Sequence, residues 1–476
     1  KPFNTCYPHF LVPYEIPMGF NKNFRNKYVT FRFDHWEGKH PQGLLSQTIG
    51  DVDDLPSFYE YQLFCRNLHK PITKALKQCK EKICEKTHEQ WIEHIVSYPT
   101  IFGHIKASDD AKIFAIDPEG CTDRDDALSV TKIDEKCYKV TVYIANVWVW
   151  LEAFDLWPYI GNRISSIYLP DKKRSMLPNM IAEEFCSLDE DKECFAIAMD
   201  FLVYDYNKIT YNPPEQVLIK VHKQFHYDDQ KLYKNKNFQL LEKVTKQVDT
   251  SIQDSHDIVA FWMMKMNTSM AKLMRQKEIG IYRTVHSSKS NTESALINNT
   301  HKIPTKMKQF VRIWEQSMAG KYVLCSSVNN MKHEIMGLDE YVHFTSPIRR
   351  MVDLINHICW ITNMNSHSKN VRIFMEEFLF NLTTINETMS NIRKVQNDCL
   401  ILEQVTNHPD ILHKQYEGIV LSNVSDNIYS VYIEELKWIA KVHSSTYLET
   451  YCIVQCQLYI FVKEEQLRKK IRVQII

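Results

Sequence analysis

The period of the apolar positions changes three times along the chain. Over 28–34, Tyr28, Thr30, Arg32 and Asp34 alternate with Val29, Phe31 and Phe33, the period-two signature of a half-buried strand. A turn-rich stretch at 40–43, a strand-like run at 44–50 and an acidic turn at 51–54 follow. Short strands at this spacing predict a small β-barrel over 1–70. Over 71–97 the period becomes helical, with Ile72, Leu76, Ile83 and Ile92 recurring among Lys and Glu, and predicts a connector. The region 98–403 mixes both periods. Its run 136–151 reads as a strand, 258–274 as an apolar-faced helix, and 385–405 as a long amphipathic helix carrying Ile385, Met389, Ile392 and Cys399. The polar stretches 286–293 and 365–370 read as loops. From 404 to 476 the β pattern returns, with a hairpin of 416–424 and 428–433 about a turn at Ser425, Asp426 and Asn427, and further strands at 437–443 and 451–462.

Composition narrows the class only modestly. The 476 residues are 44% hydrophobic and 24% charged, ordinary for folded protein and enough for roughly two to four domains. Lys+Arg 58 balances Asp+Glu 58, so net charge announces no polyanionic partner, although local fields can still bind one. No apolar run reaches the roughly 18 residues a membrane span needs, and prolines interrupt the first twenty residues where a signal-peptide core would lie. The first residue is Lys1 rather than Met, which suggests a trimmed chain or an internal start. Thirteen cysteines, an odd number without framework spacing, predict a reducing, intracellular setting, cytoplasmic or nuclear. Cys79, Cys84 and His88 could begin a zinc site, but no fourth ligand lies nearby, and ordinary helix cysteines are the simpler reading.

The chemistry concentrates in 113–130, IFAIDPEGCTDRDDALSV. Asp117, Asp123, Asp125 and Asp126 follow an apolar run, and Gly120 allows the sharp turn that brings the first back toward the others. Converging carboxylates repel unless a cation sits among them, and hard divalent ions take oxygen ligands. One or two magnesium ions would suit this pattern. A solvated acidic turn and a calcium loop remain alternatives, though the EF-hand spacing is absent.

Beyond this segment the sequence resembles the ribonuclease II/ribonuclease R (RNB) exoribonucleases, a family that includes the eukaryotic exosome catalytic subunit and its cytoplasmic relatives. The aspartate frame resembles that family's signature. ISSIYLPDKKRSMLPNMIAEEFCSL (164–188) is similar to its SvYLPdrviPMLP…lCSL segment, and YVHFTSPIRRMVDLINH (341–357) to its HFTSPIRRYaDLlvH motif. Residues 14–54 look like a cold-shock domain, and the C-terminal β region sits where an S1 domain belongs. No endonucleolytic PIN domain and no first cold-shock domain is recognisable.

The resemblance implies a mixed α/β (α+β) catalytic domain flanked by OB-type barrels: cold-shock-like 1–70, helical connector 71–97, RNB domain 98–403, S1-like 404–476. It implies processive, Mg2+-dependent (or Mn2+-dependent) 3′→5′ hydrolysis of single-stranded RNA with a free 3′ end to nucleoside 5′-monophosphates. Two ions about 3.5–4 Å apart can serve such an in-line displacement. Complex membership stays open. By position, Asp117, Asp123, Asp125 and Asp126 match the metal ligands, and Asp125 is the one most tied to the chemical step. Arg349 matches the arginine on the scissile phosphate, where a guanidinium forks onto oxygens, and Arg350 follows it as an RNA contact. Tyr168 and Tyr227 match aromatics along the RNA path, where stacking is worth about 1–3 kcal/mol per base. The chain departs from the pattern at Asn146, Ala260, Phe261, Met351 and Ile358. Those departures keep a second reading in view, a catalytically weakened RNA-binding protein on the same scaffold.

Overall fold

The computed structural model describes residues 2, 6–13, 25–107, 111–204, 208–285, 320–327, 331–333, 337–362, 368–463 and 468–476. The loop expected at 286–293 lies outside them, as do the first three residues of 365–370. The rest of that stretch opens a helix, Lys369–Phe380, whose first turn is capped by the Ser368 hydroxyl accepting from the Val371 N–H.

The apolar runs of the middle region become one eight-stranded sheet. Its order is Lys223–His226, Phe114–Asp117, Asp126–Lys132, Cys137–Ala145, Glu193–Tyr204, Glu215–Lys220 and Ile105–Ala107, with Lys208–Tyr211 paired onto Glu193–Tyr204. Phe114–Asp117 is buried throughout, as a strand covered on both faces must be. The helix Ser255–Gln276 packs Trp262, Met266, Met270 and Met274 into the same core. The mixed α/β class with additional small β-sheet units is the one the sequence led us to expect.

The run 136–151 is not one strand. It pairs as Cys137–Ala145 and then turns into the helix Val147–Ala153, whose Val147, Trp148, Val149, Trp150 and Leu151 are all buried. A fully buried apolar run carries no period, so periodicity could not separate its two halves. Asn146 sits at the break, donating from Nδ2 to Gln216 Oε1 at 2.8 Å, while Gln216 Nε2 donates to the Phe102 carbonyl at 3.0 Å. An aspartate here would set a buried carboxylate against an oxygen that cannot turn away without losing the Phe102 bond. Asn146→Asp is therefore expected to cost about 1–3 kcal/mol, read as a lower chemical-denaturation midpoint. An unchanged midpoint would contradict this account of the amide pair.

The first strand, Lys27–Phe33, pairs antiparallel with Gly43–Asp51. Register shifts after Tyr28 and after Thr30 interrupt its alternation, so Tyr28 is buried while Val29 and Phe33 face outward, opposite to the expected apolar face. Among the described residues this region is a two-stranded sheet followed by the helix Leu55–Cys65, not a closed barrel. Tyr28, Phe58, Tyr59 and Leu63 pack against Ile167, Leu169, Ile392 and Val395 of the larger unit. The connector is two helices, Thr73–Ile83 and His88–Ser97, with Cys79 buried and Cys84 exposed. Among the described residues no metal-ligating group forms there, and no disulfide forms anywhere.

The long helix runs Leu382–Asn407, past the boundary placed at 403, with Ile385, Ile392, Val395 and Cys399 buried. The C-terminal unit is a five-stranded antiparallel sheet whose edge strands, Trp438–His443 and Arg468–Ile475, approach one another as it curls. Its first hairpin turns at Asp426 and Asn427, with Ser425 opposite Ile428 and Asn427 left-handed at φ 61°. Among the described residues no helix is long and apolar enough to cross a membrane.

Candidate active site

Three distant segments meet at one end of the sheet. Asp117 closes the strand Phe114–Asp117, the chain turns through Gly120 at φ +77°, and Asp126 opens the adjacent strand. This is the return that the Gly120 position suggested. The intervening loop is fixed by the second motif: the Arg124 N–H donates to Ser187 Oγ at 3.1 Å, and the Arg124 carbonyl accepts from the Leu188 N–H at 3.1 Å. The third motif binds the first directly. Asp125 Oδ1 accepts from the Ile348 N–H and Oδ2 from Arg349 Nε, each at 2.9 Å. The second and third motifs are also laced together, since the Arg349 carbonyl accepts from the Ser166 N–H and from Ser165 Oγ, and the Met351 N–H donates to the Ile164 carbonyl.

Asp117, Asp123 and Asp125 are buried, Asp126 is half-buried, and the group is only partly neutralised. Asp117 and Asp123 are 8% and 7% exposed, and Oδ2 of each is a buried acceptor with no hydrogen-bond partner. Burial pushes the Asp117 carboxyl up to about 6, against the pull of Arg124, whose Nε stands 3.9 Å away. Burial raises Asp125 to about 7 even though Arg349 and the Ile348 N–H favour its charged form. Asp126 is raised well above the usual carboxylate range by burial and by the charges of Asp117 and Asp125. In Arg349, burial would lower the pKa, but Asp125 outweighs it and holds the guanidinium charged. Its side chain remains 45% exposed while Nε holds Asp125 and Nη2 donates to Ser346 Oγ at 3.1 Å.

Arg350 is turned away to Asp353, donating from Nη2 to Oδ1 at 2.9 Å. Asp353 is fully buried and its Oδ1 also accepts from the Ser346 N–H, so this pair braces the loop that carries Arg349. The two tyrosines lie close to different members of the acidic group, Tyr168 to Asp123 and Tyr227 to Asp126 and Asp117. Tyr168 lies across a short antiparallel pair from Lys173 and is 44% exposed; burial, then the charge of Asp123, raises its hydroxyl to about 12. Tyr227 follows the parallel pairing of His226 with Asp117, and burial and the charges of Asp126 and Asp117 raise its hydroxyl. Its ring stacks on His256 with centroids 3.8 Å apart.

Two contributors went unread in the sequence. Asn267 accepts from the Phe344 N–H at 2.9 Å and donates to Tyr341 Oη at 3.0 Å, holding the third motif from the core helix. Lys173 donates from Nζ to Asp123 Oδ1 at 2.9 Å, with Thr122 Oγ1 at 3.2 Å and Glu183 Oε1 at 3.3 Å. Burial would lower its pKa, but the bond and charge of Asp123 and the charge of Glu183 raise it above the ordinary lysine value. The signal was present: the motif frame has an apolar residue at this place. Of the departures, Ala260 is exposed and Phe261 is buried in the core, so neither position offers a polar group to the acidic residues.

Among the described residues no three Asp, Glu, His or Cys side chains stand at metal-ligating geometry. The unpartnered oxygens of Asp117 and Asp123, with Asp126 beside them, nonetheless form an oxygen donor set of the kind a hard cation takes. Their donor chemistry suits such an ion, while the side chains as they stand do not converge at ligating distance. Asp125 is different, because both its oxygens already accept hydrogen bonds.

A buried acidic centre at a sheet end, crossed by an arginine from a remote segment, defines a carboxylate-centred mixed α/β domain. The RNB domain matches residues 106–253 and 229–364, and the chain belongs to the RNB family. It is 21% identical over 404 residues to the exosome complex exonuclease dis3 of Schizosaccharomyces pombe, covering 69% of this chain and 41% of that protein. It is 24% identical over 356 residues to ribonuclease R of Chlamydia muridarum, covering 60% of this chain and 51% of that one. The chain thus spans about half or less of the curated relatives it matches. In fold it is similar to Mycoplasma genitalium RNase R solved with ribose-methylated single-stranded RNA, with TM-score 0.71, 15% identity, and 99% of this chain and 85% of that one covered. It is similar also to yeast Ssd1, described as a pseudonuclease, with TM-score 0.63, 14% identity, and 91% and 62% covered.

Proposed function

We propose that this chain is a 3′→5′ exoribonuclease that threads single-stranded RNA with a free 3′ end and releases nucleoside 5′-monophosphates, working inside the cell. The observation that carries this reading is the junction of Asp125 with Arg349, 224 residues apart, beside two buried carboxylate oxygens that lack a partner. Its relatives dis3 and ribonuclease R are an exonuclease and a ribonuclease by name.

Asp117, Asp126 and the open oxygen of Asp123 would hold Mg2+ or Mn2+. When bound, such an ion lowers the pKa of a coordinated water and stabilises charge on the leaving oxygen. The residues do the rest. Arg349 presents its partly exposed side chain to the scissile phosphate while Asp125 fixes the plane of the fork. The Arg350–Asp353 pair and Asn267 hold that loop in register. Tyr168 offers an exposed ring for a base to stack on, and Tyr227, backed by His256, closes the path beyond the acidic centre.

The test is degradation of a 5′-labelled RNA oligomer in Mg2+. A ladder down to a short end product, with monophosphates released, is the expected result. Intact RNA at high enzyme defeats the proposal. A second reading, RNA binding without cutting, draws on the occupied oxygens of Asp125 and the fold shared with Ssd1. It predicts intact RNA bound tightly at low salt and released as salt rises.

A further inference from the structure

We propose that the Lys173 ammonium is a resident cation at Asp123, occupying the position a second divalent ion would take, so that the site runs on a single exchangeable metal. This rests on the metal-assisted reading of the acidic centre and narrows it.

The geometry of Lys173 is that of a cation held on purpose by its surroundings. An ammonium has three N–H donors. Here Asp123 Oδ1, Thr122 Oγ1 and Glu183 Oε1 lie at 2.9, 3.2 and 3.3 Å, one acceptor for each. The lysine side chain is 19% exposed and Asp123 only 6%, so the pair is poorly screened by solvent. Lys173 cannot swing away cheaply either, since it is paired across the short antiparallel ladder with Tyr168, and its neighbour Arg174 is tied to Glu60 at 2.6 Å and to Asp171.

The remaining donors then count against two ions. A pair of divalent cations needs a carboxylate free to bridge them and separate oxygens on either side. Asp125 has both oxygens accepting, from the Ile348 N–H and from Arg349. Asp123 has one engaged by Lys173. The unpartnered oxygens are Asp117 Oδ2 and Asp123 Oδ2, with the Asp126 carboxyl close enough to feel the charge of Asp117, a donor set that suits one ion rather than two. On Asp123 Oδ1, the oxygen a bridging carboxylate would offer to a second ion, the structure already has a positive charge, the Lys173 ammonium.

Bound Mn2+ can be counted on the full chain by the loss of free-ion signal in electron paramagnetic resonance. One ion per chain is expected for the parent and for Lys173→Arg, and two for Lys173→Met. The increment decides the matter: equal counts in the parent and Lys173→Met, at whatever number, overturn the proposal, as does a parent that already binds two. Circular dichroism and thermal melts on the same samples check folding, and Lys173→Gln replaces the methionine variant if that one is unfolded. The RNA ladder is independent of this count. A parent that binds one ion and leaves RNA intact refutes the exonuclease reading, whereas a parent that cuts RNA with two ions bound refutes only the role of Lys173.

Discussion

Asp125→Asn is expected to slow monophosphate release on the order of 10²–10³-fold, the usual loss when one preorganised electrostatic contact to the reacting phosphate is removed. The substitution keeps an oxygen for the Ile348 N–H but sets an amide against Arg349 Nε, so the guanidinium loses its anchor. Folding should not suffer in proportion. Asp125 is 3% exposed with its carboxyl raised to about 7, which means the folded protein already works against its charge at neutral pH. Single-turnover decay of a labelled oligomer, run beside a thermal melt, separates the two effects. A rate within tenfold of the parent, or a lost rate accompanied by a collapsed melt, would refute the assignment of Asp125 to the chemical step.

The opposite split is expected at Asp353. Asp353→Ala removes a fully buried carboxylate that accepts from Arg350 and from the Ser346 N–H, leaving both donors unanswered. Breaking one partner of a buried pair costs about 3–5 kcal/mol, and urea denaturation should show a loss of that order. Because Ser346 Oγ also accepts from Arg349 Nη2, the residual folded protein should cut RNA slowly through a misplaced loop rather than through absent chemistry. A variant as stable as the parent would mean that Arg350 is held by something other than this pair.

These two cases also mark how far the sequence could be read. The four aspartates and Arg349 were legible because each lies in a dense local motif, and the strand–turn–strand geometry at Gly120 follows from neighbours in sequence. What Arg350 does was not legible, since two adjacent arginines look alike until the helix Met351–Thr362 sets Asp353 one turn on, facing the second of them. Lys173 carried a signal, a lysine where the motif frame is apolar, but no indication of its direction. A lysine within DKKR reads as solvated surface, and only the pairing of Ile167–Tyr168 with Lys173–Arg174 turns it toward Asp123. Asn267 sits mid-helix among methionines, where nothing local distinguishes a polar clamp from a tolerated polar residue. The inverted face of the first strand came from two register shifts that no alternation pattern encodes. Long-range geometry, rather than residue type, was the missing information in each case.

The junction between Asp125 and Arg349 has one more consequence, which concerns time rather than space. Contacts so far apart along the chain form late, after the intervening segments have folded. A chain still emerging from the ribosome presents its carboxylates long before the guanidinium that completes them exists. Until the third motif arrives, the nascent protein carries the acidic half of this junction beside the messenger that encodes it, and lacks the guanidinium that answers Asp125.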